Sequence, residues 1–360
     1  MTYASITFPA RDATGFVEDV RRRVQAHFDR TGRSDKGDVR MVLKTVALLG
    51  AMFGSYAVIL SGAVEPLAML GLAVVMGVGM AGIGFAVTHD AIHGAYSNNP
   101  GINGWLGRIM DLVGGNAYMW RLTHNVIHHT YTNIDGVDED LTVSPLLRLS
   151  PGAPRQPFHR FQHLYAFPAY GMTTLFWVFV KDYKYLFKKD LGPYRNKRHP
   201  TGEVVNLFVM KAIYYSWSIV IPLVVLDLPW WQIGIGYLAM HATAGIILGV
   251  IFQLAHVVEN TAFPVPDDLG RMKDAWLVHE METTANFARR NPLLTWYVGG
   301  LNHQIEHHLF PKVCSVHYPS ISDIVADSAR QHGIPYHEQP TLWAAIRSHY
   351  RMLKHLGSAA

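Results

Sequence analysis

Apolar residues are gathered into long, uninterrupted stretches rather than alternating along the chain. A helix needs about 20 apolar residues to cross a bilayer. Four stretches reach that length, at about 45–64, 67–88, 204–226 and 229–254. Within each pair, the connecting sequence (SGAVEP or DLPW) is long enough only for a turn. The pattern therefore predicts two transmembrane helical hairpins.

Two further apolar stretches, at about 104–120 and 164–180, are shorter, and the second contains Pro168 and Gly171. Interfacial or re-entrant helices are therefore predicted for both stretches. Amphipathic patterns predict two helices in the C-terminal tail, at about 320–331 and 341–356.

Composition favours a membrane protein with substantial polar parts outside the bilayer. Charged residues make up only 16% of the 360 residues, against about 25% in soluble proteins, yet the mean hydropathy is only +0.10. We predict an all-α polytopic membrane protein with four transmembrane helices in two hairpins and a cytoplasmic helical cap. Its predicted parts are an N-terminal segment (1–40), a membrane domain (41–325) and a helical tail (326–360).

Basic residues are concentrated ahead of the two hairpins, and the turns inside the hairpins contain no Lys or Arg. The two basic groups are Arg21, Arg22, Arg23, Arg30, Arg33, Lys36 and Arg40, and Lys181, Lys184, Lys188, Lys189, Arg195, Lys197 and Arg198. Since Lys and Arg favour the cytoplasmic side of a membrane, both termini and the central segment are predicted to be cytoplasmic. This distribution accounts for the net charge of +4 without a nucleic-acid partner.

Histidines form three clusters, each at the same predicted side of the membrane. The clusters are His89-Asp-Ala-Ile-His93, His124-Asn-Val-Ile-His128-His129 and His303-Gln-Ile-Glu-His307-His308. On an α-helix, residues four apart share a face, so each cluster can direct two imidazoles to one metal region. His129 would diverge from His128 by about 100° on such a helix, which suits a second metal or a bridging position.

The three clusters together predict a metal site, although a single HxxxH pair such as His159 and His163 carries little weight. Burying many titratable rings at a membrane surface is costly unless they are paired or metallated. A zinc site uses three or four protein ligands, so eight or nine candidate histidines indicate two metals. Imidazole suits iron, zinc, copper and nickel, and ligand type alone does not choose among them.

The segments HDAIH, HNVIHH and QIEHH resemble, in order and in position relative to the spans, the three histidine boxes of the integral-membrane fatty-acid desaturase family. The sequence GGLNHQIEHHLFP, with METTAN upstream, is most similar to the front-end desaturases. Those enzymes place a new double bond between an existing one and the carboxyl end of the chain. The resemblance covers about residues 42–324.

The resemblance implies a di-iron centre that uses O2 to introduce a cis double bond into an acyl chain of a lipid or acyl-CoA. The ligands that it implies are His89, His93, His124, His128, His129, His256, His307 and His308. Gln304 occupies the first position of the third box and is expected to be a weaker or water-mediated ligand, and His303 is an alternative. Asp90 and Glu306 are expected to support the ligands from outside, although a solvent-facing role stays open for both.

Electrons are expected from a separate carrier, either ferredoxin or cytochrome b5 with its reductase. The chain contains no HPGG sequence typical of a fused cytochrome b5 domain. Its single cysteine, Cys314, excludes an internal disulfide, a CxxC redox pair and a Cys-ligated cluster. The absence of a fused carrier favours a bacterial protein of the inner membrane. The N-terminal sequence shows no basic start followed by an apolar core, so a cleavable signal peptide is not predicted.

Other functions stay open. A hydroxylase or a sphingolipid desaturase of the same di-iron superfamily would share the metal site, and a zinc-dependent membrane hydrolase or receptor would need only about three histidines. The acidic run at residues 135–140 is interpreted as a loop and helix start, and His241 as a packing residue within a span. The remaining tail histidines are expected at the surface: His317, His332, His337, His349 and His355.

Overall fold

A computed structural model describes residues 6–141 and 145–358. Four helices in these residues are long and apolar enough to cross a membrane, which confirms the predicted spans. They are span 1 (Val39–Leu60), span 2 (Pro66–Ile92), span 3 (Thr201–Val225) and span 4 (Trp230–His256). Large apolar side chains such as Leu67 and Val224 lie exposed on them, as expected for surfaces that face lipid.

Span 1 begins earlier than the expected start near residue 45. Asp38 caps this helix by accepting a hydrogen bond from the backbone N–H of Arg40. Lys44, which precedes the expected start, is buried among the helices, with its ammonium group 5.8 Å from the ring centre of Trp296. Spans 2 and 4 continue into the histidines, so His89 and His256 belong to the ends of membrane helices.

Outside the spans, the described residues form short helices and one pair of strands. The helices are Phe16–Thr31, Pro100–Gly107, Ile109–Leu112, Ala117–Trp120, Arg121–His128, Pro157–Phe161, Gln162–Tyr170, Thr173–Phe176, Trp177–Lys181, Asp182–Phe187, Trp276–Thr283, Pro292–Tyr297, Gln304–Leu309, Ser315–His317, Tyr318–Gln331 and Leu342–Ser358. The strands Ala285–Phe287 and His337–Gln339 are parallel, with Ala285 opposite His337.

The two stretches expected to be interfacial helices are each broken into shorter helices. A buried ion pair holds them against span 3: Lys211 Nζ lies 2.6 Å from Asp182 and donates a hydrogen bond of 2.8 Å to the carbonyl of Gly114. Because a charge in the membrane is costly unless it is paired, this contact fixes both stretches to the membrane helices.

Four helices outside the spans pack together into one apolar core, here called the cap. They are Phe16–Thr31, Trp276–Thr283, Gln304–Leu309 and Tyr318–Gln331. Phe16, Met281, Ile305 and Tyr318 are completely buried in this core. The N-terminal segment and the tail thus contact the helix that carries the third histidine cluster. The domain limits at residues 40 and 325 stay predictions.

The tail histidines are not all at the surface. The expectation was wrong for His349, which is completely buried: its Nε2 lies 2.8 Å from Tyr170 Oη and its Nδ1 lies 2.7 Å from the Val257 carbonyl. It was also wrong for His317, whose Nε2 lies 2.8 Å from the Lys36 carbonyl. Both rings join the tail to distant segments, a role that local sequence spacing does not reveal.

Spans 2 and 4 are in backbone contact at Gly77. A Cβ atom added at Gly77 would lie 2.4 Å from the Met240 carbonyl oxygen, a distance that real structures do not show. Small residues at such crossings allow membrane helices to approach closely.

Gly77→Ala is therefore expected to destabilise the protein by about 1–3 kcal/mol, the usual cost of overpacking. The measurement is the thermal midpoint of the detergent-solubilised protein. Gly71→Ala is the matched control, because Gly71 lies in the same helix and nothing stands within 4 Å of its added Cβ. Equal midpoints for the two variants would contradict the packing described for spans 2 and 4.

Candidate metal centre

The first histidine cluster lies at the end of span 2. The helix widens there to π geometry over Ile83–Thr88, and an α-helical turn, His89–Ile92, follows. The rings of His89 and His93 have centroids 4.7 Å apart. Single π turns inside α-helices are rare and frequently mark functional sites.

The second cluster lies on a π-helix, Arg121–His128, and not on the α-helix assumed from its spacing. The backbone N–H of His129 donates to the carbonyl of His124, five residues earlier, at 3.0 Å. A helix with this wider turn brings residues four and five positions later back beside the first. His129 is consequently not directed away from the other two histidines, and its ring centroid lies 4.8 Å from that of His124.

The third cluster depends on two glycines that precede it. Gly299 and Gly300 have φ values of 59° and 70°, a conformation that favours glycine. A Cβ atom on Gly299 would lie 2.4 Å from the Phe85 carbonyl oxygen. This close approach brings the helix Gln304–Leu309 against the end of span 2, where the first cluster lies.

The clusters meet as two groups of imidazoles. The ligand atoms of His89, His93, His124 and His307 all lie within 4.8 Å of one another, and those of His128, His256 and His308 do the same. His129 lies between the groups, with its ring centroid 4.5 Å from His307 and 4.3 Å from His308. The structure thus gathers all eight histidines that were expected to be ligands, including His256.

The nitrogen atoms of these rings fit a metal centre. In each of the eight histidines, Nε2 is buried and has no hydrogen-bond partner. A buried polar atom without a partner costs free energy, and here the unpartnered atoms of each group point into one small volume. Two metal ions would satisfy them together, so the donor set fits a two-metal site.

Burial also keeps most of these rings neutral, the form that binds a metal. Desolvation, reinforced by the neighbouring imidazoles, lowers the pKa well below its usual value in His93, His124, His129, His307 and His308. For His128, burial lowers the pKa, but the Asp138 carboxylate outweighs it and the pKa is raised.

Acidic residues from the 135–140 run orient the second cluster. The Asp138 carboxylate lies 2.9 Å from His128 Nδ1 and also accepts a hydrogen bond from the backbone N–H of Asn133. Asp140 lies 3.2 Å from His124 Nδ1. The interpretation of this run as only a loop and helix start therefore missed its contacts with the metal-ligand candidates. Carboxylates in this position fix the tautomer and orientation of metal-binding imidazoles.

Glu280 orients a histidine of the third cluster in the same way, through its carboxylate. This residue was not anticipated from the sequence. It is buried, and its carboxylate lies 2.6 Å from His308 Nδ1 and 2.8 Å from the hydroxyl of Thr132. His307 Nδ1 lies 3.1 Å from the hydroxyl of Tyr318. These contacts bring the helix Trp276–Thr283 against the centre.

Span 4 is held in place by Asn133, another residue that sequence reasoning missed. Its side-chain amide donates to the carbonyls of His256 and Ala262, each at 3.0 Å. Its backbone has a φ of 59°, which asparagine tolerates better than most residues. The second cluster and the end of span 4 are thus joined at one residue.

Asp90 lies beside His89, as expected, and it is buried. One carboxylate oxygen lies 3.4 Å from His89 Nδ1. The other accepts hydrogen bonds from the backbone N–H and the hydroxyl of Ser315, at 3.0 and 2.7 Å. Asp90 therefore joins the first cluster to the segment that follows the third.

His303 and Glu306 belong to neither of the two imidazole groups. The side-chain oxygen Oε1 of Gln304 is buried and has no hydrogen-bond partner. His303 lies 3.8 Å from Glu306, and the described partners of Glu306 are Asn286 and Tyr336, each at 2.8 Å. Burial raises the pKa of Glu306 to about 7. Glu306 and His303 thus belong to a neighbouring polar cluster with Asn286 and Tyr336.

Four membrane spans and two adjoining groups of buried imidazoles define a polytopic membrane protein with a two-metal centre. The chain matches the fatty acid desaturase family over residues 65–340. The chain therefore belongs to that family and is a membrane oxidoreductase that desaturates fatty acyl chains.

Three relatives show how far the similarity extends. An sn-1 linoleoyl-lipid 6-desaturase of Synechocystis is 37% identical over 352 residues, which cover 96% of both chains. The enzyme of the same name from Arthrospira platensis is 33% identical, over 98% of this chain and 95% of its own. An acyl-lipid (8-3)-desaturase of Physcomitrium patens is 34% identical, over 98% of this chain and 74% of its own.

Proposed function

We propose that this protein is a front-end acyl-lipid desaturase that places a cis double bond in an acyl chain esterified in a membrane lipid. The eight buried imidazoles with unpartnered Nε2 atoms carry this proposal, because they fit a two-metal centre at the ends of membrane spans. The first substrate to test is a linoleoyl lipid, with carbon 6 as the position. Two relatives of nearly the same length are named as linoleoyl-lipid 6-desaturases.

Iron is the metal that we propose for both sites. Imidazole is a ligand that suits iron, and the family resemblance implies a di-iron centre. When bound, the metals supply the redox chemistry with O2 that desaturation needs. The proposed ligands are His89, His93, His124, His128, His129, His256, His307 and His308, with Gln304 as a weaker ligand.

The protein itself contributes positioning and a dry environment. An acyl chain offers no polar handle near the carbons that react, so its placement depends on rigid apolar walls. Around the centre, Asp138, Asp140 and Glu280 hold imidazoles in fixed orientations. Trp120 stacks on His124, with ring centroids 4.3 Å apart, and shields that side of the first group.

We further propose that the centre and both termini face the cytoplasm at a bacterial inner membrane. The basic residues ahead of span 1 and span 3 support this orientation, since positive charge favours the cytoplasmic side. Electrons would then come from a soluble carrier, ferredoxin or cytochrome b5 with its reductase. An acyl-lipid substrate is favoured over acyl-CoA by the names of the relatives.

The test is expression in a bacterial host that lacks polyunsaturated lipids, with linoleate and a ferredoxin supplied. We expect a fatty acid with one additional double bond at carbon 6, located by mass spectrometry and absent from the empty-vector host. Purified protein is expected to hold about two irons per chain.

A hydroxylated product would overturn the reaction while keeping the metal centre. A double bond beyond the existing ones, toward the methyl end, would overturn the front-end assignment. A single zinc per chain in folded protein would overturn the proposed centre, because that result fits a hydrolase.

A further inference from the structure

A hollow of about 530 Å³ lies on the surface of the protein where the N-terminal residues cross the segment that follows span 4. Its lining residues are Thr7, Phe8, Pro9, Val265, Asp267, Arg271, Met272 and Lys273. Backbone hydrogen bonds hold it: the N–H of Thr7 donates to Gly270, and the N–H of Met272 donates to Thr7, at 3.0 and 2.9 Å. The half-buried ring of Phe8 is therefore fixed in this lining.

Behind Phe8, a short series of contacts leads to the second imidazole group. The edge of His279 meets Phe8, with ring centroids 5.2 Å apart. His279 Nε2 lies 2.9 Å from the carbonyl of Thr132. The next residue, Glu280, lies 2.6 Å from His308 Nδ1. The helix Trp276–Thr283 thus contacts both Phe8 and the second imidazole group.

The same helix makes a second contact with the centre. Trp276, which is partly exposed, donates a hydrogen bond of 3.0 Å from its indole N–H to the carbonyl of His129. His129 is the imidazole that lies between the two groups. The helix Trp276–Thr283 therefore contacts both the second imidazole group and His129.

The surface around the hollow has an apolar middle, and its two basic residues, Arg271 and Lys273, each lie near a carboxylate, that of Asp267 and that of Asp274. Val265 and Leu269 are 74% and 72% exposed, and the side chain of Lys273 is 90% exposed. Tyr131 packs on Phe8 and also joins the apolar cluster that contains Leu191. The segment around Leu191, residues 184–198, contains six Lys or Arg residues and one acidic residue. The hollow therefore adjoins a strongly basic surface.

We propose that the hollow and this basic segment form the docking surface for an acidic one-electron carrier protein with a [2Fe–2S] cluster. The inference rests on the proposed desaturase function, which needs electrons from outside the chain. Small, weak interfaces are typical of electron-transfer encounters, and complementary charge speeds their association. The apolar middle brings the carrier over Phe8, and the cations of residues 184–198 attract its acidic face.

The electron balance requires two docking events for each double bond. Each reduced carrier is oxidised by one electron. The substrate gives up two C–H hydrogens, which supply two electrons and two protons, and water supplies two further protons. One O2 accepts the four electrons and four protons and leaves as two water molecules.

The test uses purified full-length enzyme in nanodiscs of linoleoyl glycerolipid, with a reduced plant-type ferredoxin as the probe. One variant combines Val265→Glu with Lys273→Glu, and another combines Lys189→Glu with Arg198→Glu. We expect each to raise the KM for ferredoxin at least about tenfold at low ionic strength, with the effect decreasing in salt. Lys354→Glu, an exposed charge reversal on the C-terminal helix, is the matched control and should leave KM unchanged.

A second measurement bypasses the carrier. The same proteins, reduced by dithionite with methyl viologen, are expected to yield wild-type amounts of product in a single turnover. If the variant with Lys189→Glu and Arg198→Glu loses this product, the basic segment contacts the lipid surface. That result would overturn its role in docking the carrier. Unchanged KM values with an active wild type would overturn the inference alone. A wild type without product under dithionite would instead overturn the proposed function, and the inference with it.

Discussion

Replacing both His307 and His308 with alanine is expected to abolish desaturation and to lower the metal content of the purified protein. Each ring contributes one unpartnered Nε2 atom, His307 to the first group and His308 to the second. The double variant therefore weakens both sites at once. Because the outer partners of such ligands alone are worth roughly 10- to 100-fold, we expect activity to fall by more than about 100-fold.

His303→Gln is the matched control. It tests whether His303 belongs to the ligand set, and whether replacing a buried histidine at this helix disturbs the fold. His303 is also buried and stands at the start of the same helix, but it lies beside Glu306 and outside both imidazole groups. We expect this variant to keep its metal and most of its activity. Metal content is measured by mass spectrometry on folded, monodisperse protein. Loss of metal in His303→Gln equal to that in the double variant would place His303 in the centre.

The membrane helices were predictable because a bilayer imposes a simple constraint. Backbone groups in lipid must be satisfied within the chain, so each span is a long apolar helix that hydropathy reveals. The expected start of span 1, near residue 45, lies after Lys44, whereas the helix begins at Val39 and includes that lysine. Its burial depends on packing with Trp296, about 250 residues away along the chain, which no local pattern encodes.

The histidines were predictable for a different reason. Burying many imidazoles at the ends of membrane spans is costly without a metal. The number and the repeated spacing of the histidines therefore indicate a metal site from the sequence alone. The geometry of the second cluster was not predictable from a helical period of 3.6 residues. The π-helix Arg121–His128 places His129 between the groups, and one extra residue per turn leaves only a faint trace in the sequence.

The residues that orient the imidazoles were mostly missed because their contacts are distant along the chain. Asp90 was found, since it is adjacent to His89. Glu280 lies 28 residues before His308, and Asp138 lies 10 residues after His128. An isolated Asp or Glu is usually a solvent-facing residue, so burial is the observation that identifies these two, and burial comes only from the fold.

Glu280→Gln is expected to lower metal affinity and desaturase activity by roughly 10- to 100-fold, the usual effect of changing the partner of a ligand histidine. Glutamine keeps the volume and one oxygen, but it removes the negative charge that faces His308 Nδ1 at 2.6 Å. Glu282→Gln is the matched control. Glu282 lies on the same helix, and its backbone carbonyl, which the substitution retains, accepts the hydrogen bond from Ala262.

Two measurements separate orientation of the ligand from general loss of stability. The first is metal content after dialysis against a chelator, where Glu280→Gln is expected to lose metal faster than Glu282→Gln. The second is the thermal midpoint of the metal-free proteins, which is expected to differ little between the two variants. If both variants retain metal equally, His308 does not depend on Glu280. The tight contact would then serve only to join the helix Trp276–Thr283 to the rest of the cap.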